Sequence, residues 1–200
     1  MIHPDTEVRF ISLEKGRGLF ASKAIPAGTI VWCRDPLDRE ISPLEMDNYT
    51  PVFREILLTY SFRNNKGNYI FCWDNGRYIN HSFASNCCST PYEIEIAIRN
   101  IEKGEELTDD YGFLNIIEPF EALPEGTERS VVYPDDLLRY SDLWDVALQN
   151  TFPKIKTVPQ PLQNFMSLET WQKINNISAG KEPLASIRSC YFSSSSKGSS

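Results

Sequence analysis

Turns dictate what the first half of this chain can become. Between residue 8 and about residue 114, glycine- and proline-bearing breaks recur: "EKGRG", "PAG", "NNKG" and "EKGEE". So many breaks leave no room for long helices. The runs between them, "VRFISL", "GLFASKAI", "TIVWC" and "EIEIAIRN", are short and rich in β-branched or aromatic residues, which predicts strands. "YSFRNNKGNYIFCW" predicts a hairpin about its Asn-Asn-Lys-Gly turn. The alternation in "EIEIAIRN" predicts a half-buried strand with its glutamates facing out. One helical insert interrupts this pattern. Ser42, Pro43 and Glu45 supply the cap, first position and capping box of a helix over 43–49. Thr50 and Pro51 repeat the device for a second helix over 51–59.

The texture changes after residue 114. "PDDLLRYSDLWDVALQNTF" carries leucines, Trp144 and Val146 at helical spacing behind an acidic first turn, and "SLETWQKINNI" predicts a last helix capped by Ser167. Trp144 and Trp171 are expected in the core of this extension. The division that follows is a β-rich domain over 7–114 with an insert at about 36–62, a helical extension over 115–190, and a low-complexity tail over 191–200 assigned to disorder.

Charge narrows the class of partner. The net charge of −7 is concentrated: residues 101–150 hold 13 acids against Lys103, Arg129 and Arg139, while the rest of the chain is net positive. Nucleic acid needs a basic surface, so it is not the expected ligand, whereas a cationic protein or peptide is. No apolar run reaches the roughly 18 residues of a membrane span, and "MIHPDTEVRF" lacks a signal-peptide pattern, so an intracellular protein is expected. The five cysteines have no CxxC spacing and read as reduced, buried thiols; two histidines, His3 and His81, are too few for a multi-imidazole metal site.

Three stretches carry chemistry: "KGRGLFASKAIPAGT", "RYINHSFASNC" and "AIRNIEKGEELTDDYGF". Singly, the first is a tight turn between strands and the second a structural histidine. Together, in this order, they closely resemble the SET domain of protein lysine methyltransferases, over about residues 7–114. The resemblance implies small curved sheets with a helical insert, and a pseudoknot in which "ELTDDYG" threads beneath the loop bearing "NHS". It implies S-adenosylmethionine as cofactor and a lysine of a basic protein, such as a histone tail, as substrate.

Residue by residue, Lys15, Gly16, Arg17 and Gly18 match the cofactor turn, Asn80 and His81 the pair that contacts the cofactor, and Arg77 the arginine leading into that motif. Tyr111 matches the catalytic tyrosine, also beside the cofactor, and Phe113 an aromatic near the adenine. Many relatives have a zinc-binding cysteine where Phe83 stands, with further cysteines after the tyrosine. Neither is present, so no metal is expected, and the helical extension is the expected closure of the channel. Asp109 stands where the family places a bulky group facing the substrate amine. It is a substrate-channel candidate with three roles open: favouring the protonated amine, limiting the number of methyls, or turning away. The competing reading is a catalytically silent SET-like module acting as a scaffold.

Overall fold

The computed structural model describes residues 1–193. Strands β1 (Thr6–Ser12), β2 (Gly16–Ala21), β3 (Ile30–Cys33) and β4 (Arg39–Ile41) lead into helices α1 (Pro43–Asp47) and α2 (Pro51–Tyr60). Ser42 Oγ accepts the Glu45 amide at 3.1 Å, as the cap signature predicts. Thr50 sits at the α2 cap without a side-chain bond, so there Pro51 alone marks the start. The predicted hairpin forms from β5 (Ser61–Arg63) and β6 (Tyr69–Phe71), and β4 pairs with its other edge. Short strands β7 (Asn80–His81), β8 (Cys87–Ser89), β9 (Ile94–Ala97) and β10 (Glu106–Asp109) complete the first part. A small hairpin, β11 (Phe120–Glu121) with β12 (Val131–Val132), precedes helices α3 (Asp136–Thr151) and α4 (Leu168–Ser178), the latter capped by Ser167.

β10 is the pivot of this arrangement. In the sheet ordered β1-β2-β10-β7 it runs antiparallel to β2, with Leu107 opposite Leu19, and parallel to β7, with Asp109 opposite His81. The loop after β7 grips it as well: Ser82 N donates to Asp109 O, Asn86 Nδ2 to Glu106 O, and Thr108 N to Asn86 Oδ1. A chain segment so held by the loop bearing "NHS" makes the contacts that the implied crossing requires.

The sheet β3-β9-β8 lies between two apolar cores. On one side Ile30, Cys33, Ile94 and Ile96 pack with Phe113, Trp144, Leu148, Phe152, Ile174 and Ile177, so the extension shares its core with the β-rich part. On the other side Val31, Cys87 and Ala97 meet Leu19, Ile79 and Leu107. Covered on both faces, β9 is buried along its length, and Glu95 is 6% exposed. The outward glutamate expected from the alternation is corrected here: the period of two sends Glu95 away from Ile94 and Ile96, but that face is interior too.

No helix of the described residues is long and apolar enough to cross a membrane. Of the tail assigned to disorder, Phe192 is tied down, its N–H donating to Asn115 Oδ1 at 2.9 Å and its ring lying under Arg63. Residues 194–200 lie outside the described residues.

Candidate active site

The register of β10 against β7 brings Tyr111 to His81. Asp110 stops the strand, its Oδ1 accepting the Gly112 amide at 3.0 Å and so opening the single turn that carries Tyr111. Tyr111 N donates to His81 Nδ1 at 3.1 Å, and the phenol donates to the Ile79 carbonyl at 2.7 Å. With its hydrogen committed to Ile79, the hydroxyl offers lone pairs only. Burial, with Asp109 next in importance, pushes its pKa well above the usual range, so the phenol stays protonated. His81 is held neutral: burial, and then Arg129, lower its pKa to about 4. Since Nδ1 accepts, Nε2 carries the proton, and Nε2 is buried with no partner among the described residues.

A cavity of about 560 Å³ opens beside Tyr111. Its walls are aromatic, from Trp32, Tyr60, Phe62 and Tyr69, and Asp109 and Glu95 also line it. Asp109 is 3% exposed, so the question left by the sequence is answered: it faces this interior space and not solvent. Four buried polar atoms that find no hydrogen-bond partner belong to residues lining this cavity: Trp32 Nε1, Ser61 Oγ, Glu95 Oε2 and Asp109 Oδ1. Burial, then the repulsion of Glu95, raises Asp109 well above the ordinary carboxylate range, and burial raises Glu95.

The turn before β2 lies across the same sheet. Asn80 Nδ2 donates to Arg17 O at 3.0 Å and to Glu106 Oε1 at 2.7 Å, tying together the three sequence stretches. Gly18 lets the strands close there, since a Cβ would push aside Ile11 Cδ1 and the Glu106 Oε1 that Asn80 holds. Gly16 has φ +72° and open space where a side chain would stand. Lys15 and Arg17 are exposed. Arg77 lines the cavity, donating to Trp73 O and stacking on Tyr78.

Phe113 is buried against Trp144 with ring centroids 5.4 Å apart, in the core shared with the helices, and does not line the Tyr111 cavity. The extension meets this cavity through its first residues, Asn115–Glu118, directly after the tyrosine turn, and not through its helices.

Residues 16–112 match the family model described as the SET domain. The chain contains a SET domain. The match begins at the glycine turn and ends one residue after Tyr111, so it takes in the three motifs except Lys15 and Phe113 at their outer ends. No curated protein matches the chain. SET domains are typically S-adenosylmethionine-dependent lysine methyltransferases.

Just outside the SET match lies a centre that sequence reasoning missed. Arg129, from the β11–β12 hairpin, pairs with Asp110 and, at 2.6 Å, with Asp136 on α3. Its guanidinium is stacked against Phe83 at 4.4 Å and Tyr140 at 4.3 Å. Phe83 stands where zinc-binding relatives have cysteine, and it closes edge-on against His81 at 4.5 Å. Among the described residues no cluster of histidine, cysteine or carboxylate is placed to hold a metal. Glu95 was the other omission. Its one signal was an acid flanked by isoleucines in a run with no turn residue.

Proposed function

We propose that the chain is a protein-lysine N-methyltransferase that uses S-adenosylmethionine and acts on a basic protein such as a histone. The cavity at Tyr111 carries this reading. A lysine side chain suits it: the methylene stem has aromatic walls to cover it, an ammonium is attracted to ring faces, and buried carboxyls supply the opposite charge. The local charge of −10 across residues 101–150 favours a basic approaching partner.

The residues of the glycine turn fit the cofactor. Open space above Gly16, the exposed cations Lys15 and Arg17, and the unpartnered Nε2 of His81 supply room and donors for an amino-acid carboxylate. Lys15, Gly16, Arg17, Gly18, Asn80 and His81 are the residues that would hold it, with Arg77 nearby. When bound, it supplies a methyl group on a positively charged sulfur. The chain contributes alignment: the Tyr111 oxygen, fixed by Ile79, accepts an N–H and orients the amine, and the apolar walls exclude water.

The test is direct. The full chain is incubated with methyl-labelled S-adenosylmethionine and core histones, and label is located by mass spectrometry. Label on lysine, cut by roughly 10²-fold in Y111F while calorimetric cofactor binding persists, supports the proposal. Cofactor binding without label on any basic protein indicates the silent module instead.

A further inference from the structure

Buried polar atoms are normally satisfied, since a dry, unpaired one is costly. Around the cavity three atoms that can accept a hydrogen bond stand unpaired: Ser61 Oγ, Glu95 Oε2 and Asp109 Oδ1. An ammonium, with three donors and no acceptor, is the ligand this set asks for. The two carboxyls line the same cavity from separate sheets, Glu95 on β9 and Asp109 on β10, and each acts on the other's charge. Ser89 Oγ occupies Glu95 Oε1 at 3.0 Å, which leaves Oε2 for the cavity. Two interacting carboxyls so deeply buried do not both ionise. They hold one proton and one negative charge between them.

We infer that the Asp109–Glu95 pair is the proton acceptor of the reaction. It takes one proton from the lysine ammonium and leaves a neutral amine in the cavity. The inference rests on the methyltransferase reading above. In the step an N–H bond of the ammonium breaks and an O–H bond forms on Glu95 Oε2. A cation and an anion become an amine and a carboxylic acid, with no other reactant. The surroundings favour that direction, because aromatic walls and burial penalise two charges more than none.

Other groups at the site do not serve. Tyr111 stays protonated and its hydrogen is held by Ile79. His81 does not line the cavity and its Nδ1 is taken by the Tyr111 amide. Glu118 is exposed at the rim. The charged and titratable neighbours of the pair are Asp110, the Met1 amine and the thiols Cys72, Cys87 and Cys88, with Arg63 and Arg77 across the cavity. Burial raises all three thiols, so they remain neutral.

The experiment measures kcat against pH with core histones and labelled cofactor, for the wild type, D109N and E95Q. The wild type is expected to change little above about pH 7. Each variant is expected to fall by roughly 10²-fold there and to recover about tenfold per pH unit toward pH ~10, as free lysine amine becomes available. Infrared spectra at neutral pH supply a readout independent of turnover: a protonated-carboxyl band in the wild type that D109N lacks. Variant profiles parallel to an active wild type, or no such band, overturn the inference and leave the methyltransferase reading standing. A wild type that binds cofactor but labels nothing at any pH overturns both.

Discussion

Asp109 and Asp110 are adjacent and both buried, and burial raises both, but the partners their oxygens find are opposite in kind. Asp110 is fully engaged, with Arg129 on one oxygen and the Gly112 amide on the other, inside a centre that also holds Asp136 and is roofed by aromatic rings. Asp109 has no cation, an unpartnered oxygen, and a second carboxyl for company. Strand geometry sends neighbouring side chains to opposite faces. One peptide unit therefore separates a carboxylate that fastens the fold from one left unfastened beside the cavity. The lesson is that burial alone says nothing of an acid's role; what its oxygens find on arrival decides it.

The largest effect comes from emptying the fastened side. R129M keeps apolar contact with Phe83 and Tyr140 but strands two buried carboxylates, and is expected to cost about 3–5 kcal/mol in urea denaturation. A loss below about 1 kcal/mol would show that the centre is ordinary packing. D110N is milder, because the amide oxygen still accepts from Gly112 while Arg129 keeps Asp136. About 1–3 kcal/mol is expected, read from the same transition. D109N is smallest and opposite in sign. The fold raises Asp109, so the folded chain retains a proton that the unfolded chain has released above the ordinary carboxylate range. Stability due to this group therefore falls as pH rises from that range toward the raised value. An asparagine does not titrate, so D109N should match the wild type near pH 4 and exceed it by about 1 kcal/mol near pH 8. Equal stability at both values would mean that Asp109 is as well accommodated as Asp110.

Much of this was legible, and the failures have a common cause. Turn residues gave the strand lengths, Ser42 and Ser167 gave helix starts, and three ordered motifs gave the SET domain. Those signals are local, set by residues within a few positions of each other. Period-two alternation revealed that Glu95 and its isoleucines part company, but which face meets water depends on distant segments: the helices cover the isoleucines, and Leu19, Ile79 and Leu107 close the other side. The partner of Asp110 was likewise beyond local signals, since Arg129 arrives from 19 residues downstream. The packing of Phe113 was not legible either, since its partner Trp144 stands on α3, far along the chain.

The Arg129 centre has one more consequence. It fastens the end of the SET domain to α3 at the place where zinc-binding relatives put a cysteine-held ion, and its cation is part of the polypeptide. Such a clasp is complete as soon as the chain is synthesised. It requires no delivery of metal, and neither a chelating agent nor an oxidant of thiols has anything there to remove. Its vulnerability is acidity: burial raises Asp110, so a falling pH takes that partner from a guanidinium packed among aromatic rings.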